Sequence, residues 1–274
     1  MNAASADQGR LKGALPQKGR LAGDEITVFA RFGKLFDLRD AVVVEIGGAL
    51  PAGLVRDAGV RRWHAVDPRD FGDRIGDLPV VRHHVPILDF ALPEGRCDLF
   101  FSSNAFQHVH RFREMLDHLA TMAKPGAWLY ANFGPIWSAP DGSHIENLKC
   151  RGKTYQFWNG PLHPAWAHLH YEPRELLDLL TPEHGEQLAN ELVTYIQKSA
   201  WINRMTLLDY ESAVHDSMWQ LMACLGCAEF GYSYLPGFPK EADYAILRAI
   251  AARAQAETSS FFIRDLELIL RSPL

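Results

Sequence analysis

The amino-acid sequence predicts an α/β protein built on a doubly wound, mostly parallel sheet of seven strands, with a cap inserted into it. Three observations lead there. Between residues 41 and 133, short β-branched or aromatic runs alternate with helical stripes, the rhythm of right-handed βαβ crossovers that cover both faces of a sheet. From 134 to 210 an aromatic and histidine-rich stretch breaks that rhythm; it is too long for a connection and too apolar for a linker. After it the core-like pattern resumes and supplies two further strands.

Residues 1–20 are small and polar, without periodicity. They are expected to form a disordered tail and lack the apolar run of a secretory signal. The core is then expected over 21–133 and 211–274, and the cap over 134–210. Ile26, Phe29, Phe32 and Phe36 recur at helical spacing and predict one or two covering helices over 24–38. Residues 41–46 form a β-branched run that carries Glu45 and is bounded by Gly47-Gly48, the pattern of a strand buried on both faces. A helix over 51–58 follows, then strands over 62–66, 80–84 and 97–102. Phe112, Met115, Leu116, Leu119 and Met122 make one helical stripe over 111–122, closed by Lys124-Pro125-Gly126. The fifth strand is 127–133. A helix is predicted over 173–180, and the chain ends in a strand over 227–234, a helix over 241–256 and a strand over 265–271.

The chain has 274 residues, enough for a large core and a small subdomain at roughly 100–200 residues per domain. A formal net charge of -5 provides no general field for a polyanion and argues against a nucleic-acid partner. No run approaches the ~18 apolar residues of a membrane span. Of the cysteines Cys97, Cys150, Cys224 and Cys227, only the last two have C-x-x-C spacing. Their surroundings read as a helix end entering a strand, without two further ligands for zinc. Buried, reduced thiols are expected, in a soluble cytoplasmic protein with no metal.

Open α/β sheets bind nucleosides across the carboxyl ends of their strands. Four groups of residues fall there. Glu45, Gly47 and Gly48 end the first strand, where missing side chains permit close backbone approach. Asp67 ends the second, about 20 residues on, where a carboxylate accepts hydrogen bonds from ribose hydroxyls. Asp89 follows the third strand; Ser102, Ser103, Asn104 and Phe106 end or follow the fourth.

Over roughly 42–132 the sequence resembles the class I S-adenosylmethionine-dependent methyltransferases. VVVEIGG looks like their first motif, AVDP like the ribose-binding acid and ILDFALP like the adenine motif; CDLFFSSNAFQHV and AKPGAWLYANF resemble the family's fourth-strand segment and its turn into the fifth strand. The resemblance implies a Rossmann-like methyltransferase fold. It assigns Glu45, Gly47, Asp67, Asp89 and Ser102 to S-adenosyl-L-methionine, with Gly48, Pro68, Phe90 and Asn104 beside them. Gln107 stands where the family has an acid, and Ala49 and Pro51 replace the later glycines of the first loop. Proline removes a backbone donor. That counts against a dinucleotide, whose pyrophosphate needs the second glycine and a helix N-terminus, and suits a nucleoside without phosphate.

Methyl transfer from a sulfonium is chiefly alignment, helped by a base when the acceptor is a hydroxyl. Among twelve histidines, His108, His144 and His168 are the candidate bases. His110 and the aromatic wall Trp137, Trp158 and Trp166 are the candidate acceptor contacts. The segment 134–171 resembles a bacterial methyltransferase subgroup with a P-x-W-S-x-x-G-x-H loop and a W-x-H-L stretch. The expected activity is O-methylation of a small molecule, natural product or modified peptide. N- or C-methylation and a cofactor-binding scaffold without transfer are the alternatives.

Overall fold

The computed structural model describes residues 9–48, 50–69, 79–228 and 239–273. In chain order the elements are α1 (Glu25–Leu35), β1 (Val42–Ile46), α2 (Ala52–Asp57), β2 (Arg62–Val66), β3 (Val80–His83), β4 (Cys97–Ser103), α3 (Phe112–Met122) and β5 (Ala123–Phe133). There follow β6 (Leu148–Cys150), β7 (Lys153–Tyr155), α4 (Ala167–His170), α5 (Pro173–Lys198), α6 (Leu207–His215), β8 (Gln220–Cys227), α7 (Glu241–Ala254), α8 (Thr258–Phe261) and β9 (Asp265–Arg271). The chain divides into two compact units. The first holds the described residues to Phe133, with Tyr210–Cys227 and those from Asp265 onward; the second holds Gly134–Asp209 and the described part of Ala228–Arg264.

The first unit is a seven-stranded sheet in the order β3-β2-β1-β4-β5-β9-β8. Strands β1 to β5 pair in parallel, and β9 runs antiparallel to both neighbours. The mostly parallel sheet expected from the sequence is therefore present. Every residue of β1 is buried, because a parallel strand between crossovers has no solvent face. α1 is capped by Asp24, whose side chain accepts from Thr27 N–H, and it lays Phe29 and Phe32 against Trp63, Phe101 and Tyr130. The opposite face carries α3, where Phe112 meets Phe106 and Tyr210. The chain winds outward from β1 to β3 and returns to β4, so the order reverses between β1 and β4. That reversal opens a crevice at their carboxyl ends.

Three expectations are corrected here. Residues 9–20 are not a loose tail: Leu11 bridges to Phe36, Lys12 N–H donates to Leu35 O, and Leu11 and Leu15 join the α1 cluster. Gly19 lies so close to β8 that a Cβ would stand 2.5 Å from Gly226 O. Two leucines and a glycine contact anchor this segment, a pattern with no period to reveal it. The strand expected over 227–234 instead starts at Gln220, and 229–234 lie outside the described residues. Cys224 and Cys227, three apart on a strand, face opposite sides and cannot share a ligand. Finally, the helix expected in the core over 241–256 belongs to the second unit, since Leu247, Ile250 and Ala251 of α7 pack with Trp166 and Phe261.

Within the second unit, the helix expected over 173–180 continues to Lys198, turning at Gly185 with φ 75°. Leu188, Leu192 and Ile196 recur every turn and join Leu176 and Leu180 in one core with the β6–β7 hairpin.

Candidate functional site

The loop after β1 is built by steric necessity. Gly47 has φ 83°, and a Cβ there would sit 2.3 Å from the Ala105 Cβ; on Gly48 it would sit 2.5 Å from the Ala65 Cβ. Only glycine lets β1 turn between those neighbours. Gly47 N–H donates to Val66 O at 2.9 Å. Arg82 of β3 reaches across, its Nη1 and Nη2 each donating at 3.2 Å to Gly48 O and Leu50 O. Pro51, without an N–H, caps α2; Ala49 lies outside the described residues. The loop thus turns carbonyls toward a fixed cation. Beneath it, Glu45 is buried and accepts the Trp63 indole N–H at 2.6 Å.

Asp67 ends β2, its N–H donating to His83 O. Its Oδ1 accepts from Arg69 N and Nε at 2.8 and 2.9 Å, and its Oδ2 from Arg69 Nη2 at 2.8 Å. The Asp67 side chain is 7% exposed and that of Arg69 56%, so the arginine is the more solvent-exposed member of the pair. Pro68 and Asp89 are exposed. Phe90 is buried, its ring 4.7 Å from His83 and 6.0 Å from His64, while its carbonyl accepts from His118 Nε2 at 2.8 Å. Its side chain is a floor for this edge. His64 Nδ1 and His83 Nε2 share a proton at 2.9 Å. Burial pulls both imidazoles below their ordinary range, against the opposing influence of Glu94.

At the end of β4, Ser102 Oγ donates to Ile46 O at 3.1 Å and so ties β4 to β1. The neighbouring Ser103 is also buried, and among the described residues its hydroxyl has no hydrogen-bond partner. Asn104 takes φ 50° and donates Nδ2–H to Gly23 O at 2.7 Å. Gln107 is buried and donates to Asn104 O at 3.0 Å; an acid there would lack that donor. His108 closes the short turn Phe106–His108 and is half-buried, whereas His110 is exposed. Because Ala105 touches Gly47, the turn carrying His108 starts at the first-strand loop. One strand further, Asn132 donates to Leu266 O and Arg20 O. Tyr130 OH donates to the buried Glu267 Oε1 at 2.8 Å, and burial raises both groups.

The remaining predicted residues lie in the second unit. His144 is buried at φ 47° with its ring 4.6 Å from Phe157. His168 Nε2 donates to Trp137 O at 2.8 Å, because a carbonyl can only accept and that nitrogen therefore carries the proton. Burial, with His163 nearby, pushes its pKa down to about 3. Trp166 is fully buried and donates its indole N–H to Ser138 O and Phe261 O, both at 3.1 Å. It is a core strut and not a pocket wall, and Trp158 stands 45% exposed. Trp137 lines a cavity within this unit. Their loop is locked from within: Arg264 Nε donates to Asp141 Oδ2 at 3.0 Å, and a Cβ on Gly142 would strike Trp137 O at 2.3 Å.

The first unit thus gathers Glu45, Gly47, Gly48, Asp67, Ser102, Asn104 and His108 along one sheet edge. Arg69 and Arg82 were not singled out as binding residues by the sequence, whereas Ser103 stood in the group at the end of the fourth strand. The two-residue spacing of Asp67 and Arg69 carried a turn signal; the Arg82 contact depends on the β2–β3 register and left none. Among the described residues no group of three or more histidine, cysteine or acidic side chains is placed to hold a metal, and no helix is long and apolar enough to cross a membrane.

No protein-family model matches the chain, and no curated protein does. Solved structures with a similar chain path include an S-adenosylmethionine-dependent methyltransferase from Mesorhizobium loti, 13% identical, covering 88% of this chain and 95% of that one with TM-score 0.48. A second is the 1,6-didemethyltoxoflavin-N1-methyltransferase of Burkholderia thailandensis, with bound 1,6-didemethyltoxoflavin and S-adenosylhomocysteine: 11% identity, 91% and 76% coverage, TM-score 0.42. A third is phosphoethanolamine N-methyltransferase 2 of Haemonchus contortus, in complex with S-adenosyl-L-methionine: 11% identity, 91% and 52% coverage, TM-score 0.45.

Proposed function

We propose that this chain is an S-adenosylmethionine-dependent methyltransferase acting on an oxygen of a small molecule, natural product or modified peptide. The observation that carries the reading is the convergence, at the β1–β4 reversal, of the Gly47-Gly48 turn, the Asp67 carboxylate and the buried Ser103 hydroxyl, which has no hydrogen-bond partner among the described residues. A nucleoside bearing an amino-acid chain asks for acceptors at its ribose hydroxyls and polar groups at its charged end. It asks for no phosphate cradle, and a loop turned toward Arg82 by its carbonyls offers none.

When bound, S-adenosylmethionine supplies a methyl group activated on a sulfonium. The protein's part is placement. Asp67 would accept the ribose hydroxyls, Gly47 and Gly48 would bring backbone close, Asp89 would receive the adenine amino group, and Ser103 and Asn104 would face the methionine end. His108, on the turn begun by Ala105, is the base that takes a proton from the acceptor hydroxyl. His168 is ill suited to that work, since its Nε2 proton is engaged and its pKa is about 3. Four free cysteines fit a reducing compartment such as the cytoplasm.

A second reading, a scaffold that has lost transfer, is favoured by the grip of Arg69 on both Asp67 oxygens. Calorimetric titration with S-adenosylmethionine, followed by transfer assays over a panel of hydroxyl, amine and carbon acceptors, separates the two. Binding with product from a hydroxyl acceptor supports the enzyme; binding without any product supports the scaffold; no binding removes both.

A further inference from the structure

The second unit contains a cavity of about 450 Å³ lined by Trp137, Leu207, Ile250 and Phe261, with Glu172 and Arg253 also in its wall. That volume lies within the roughly 300–1,000 Å³ of small-molecule sites. The walls are fixed before any ligand arrives. The Trp166 indole bridges the carbonyls of Ser138 and Phe261, Leu207 N–H donates to Ser138 Oγ at 3.3 Å, and Trp137 is flanked by the His168 ring at 4.7 Å and the Arg204 guanidinium at 5.2 Å.

Arg253 is the unusual part of the lining. Its Nη1 and Nη2 donate to His170 O and Leu169 O. Both partners are neutral, so the exposed guanidinium is held in place without a carboxylate against it. Among the described residues it forms no ion pair. Glu172, the other charged lining group, is the N-cap residue of α5, where the positive end of a helix dipole already favours an anion. The cation is therefore the group with electrostatic capacity left for a ligand, and a planar guanidinium matches a carboxylate.

We infer that this cavity binds an apolar small molecule carrying one carboxylate, with its body against Trp137, Leu207, Ile250 and Phe261 and its anionic head toward Arg253. The inference does not depend on methyl transfer, and its test uses no cofactor. Decanoate, decan-1-ol and decylamine share one apolar body and differ in head group. Quenching of tryptophan fluorescence in the full chain, with calorimetry as a second readout, gives the three affinities. Decanoate is expected to bind about tenfold more tightly than decan-1-ol, the gain of a charge-assisted hydrogen bond, and decylamine most weakly. Arg253→Gln should abolish the preference and Arg253→Lys should keep much of it, which separates lost charge from lost folding. Ala254→Phe, at a lining position on the exposed side of α7, should weaken all three ligands together. Equal affinities, tightest binding of the amine, a preference that survives Arg253→Gln, or no binding at all would each overturn the inference.

Discussion

Replacing Gly47 with alanine perturbs the loop through two separable costs. The residue sits at φ 83°, a left-handed conformation that charges an L side chain about 1–2 kcal/mol. The added Cβ would also meet the Ala105 Cβ at 2.3 Å, an overlap no rotamer change relieves; overpacking of this kind costs about 1–3 kcal/mol. Together they predict a loss of about 2–5 kcal/mol in urea denaturation, with weakened S-adenosylmethionine binding because β1 can no longer turn beneath Ala105. Adding Ala105→Gly removes the overlap but not the backbone strain, so the double variant should regain about 1–3 kcal/mol and part of the affinity. A Gly47→Ala protein as stable as the parent, or a double variant no better than the single, would refute the reasoning.

Four further outcomes follow from the same geometry. Asp67→Asn should weaken S-adenosylmethionine binding by about tenfold or more, as expected when hydrogen bonds to a charged acceptor are lost, measured by calorimetry at unchanged stability. His108→Asn should cut the transfer rate about 10²–10⁴-fold while leaving cofactor affinity alone; full turnover would clear His108 of the base role. His168 has a folded pKa of about 3 against an ordinary 6.5, so folding favours its neutral form. Its contribution is complete above pH 6.5 and is lost as pH falls toward 3, at up to about 1.4 kcal/mol per pH unit; His168→Gln should flatten stability against pH across that window. Tyr130→Phe should destabilise by about 1–3 kcal/mol, because Glu267 would stay buried without the donor it has at 2.8 Å.

The sheet was legible because its signals were local. Val42–Ile46 and Asp265–Arg271 are largely aliphatic runs, interrupted by Glu45 in the first and by Asp265, Glu267 and Arg271 in the second, and the α3 stripe follows from helical spacing alone. What failed to show in sequence depends on partners far away along the chain. Leu11 finds Phe36 and Gly19 finds Gly226 only after the sheet exists, so a packed strap looked like a loose tail. α7 reads as an ordinary amphipathic helix, and only Trp166 and Phe261 reveal which unit receives it. At the site, strand ends could be located and therefore so could Asp67 and Gly47. Side-chain direction could not: Ser102 turns to Ile46 O, while the hydroxyl of its neighbour Ser103 has no partner among the described residues. In the second unit, histidine and tryptophan composition suggested a pocket. Trp166 serves its core instead, and His168 is fastened to a carbonyl.

The central claim is that the carboxyl edge of β1, β2 and β4 holds a nucleoside that carries no pyrophosphate. Calorimetric titration of the full chain with S-adenosylmethionine and, in parallel, with NAD tests it most directly. Saturable one-to-one binding of S-adenosylmethionine that Asp67→Asn weakens is expected, with no measurable binding of NAD. Heat from NAD but none from S-adenosylmethionine, or S-adenosylmethionine binding indifferent to Asp67, would contradict it.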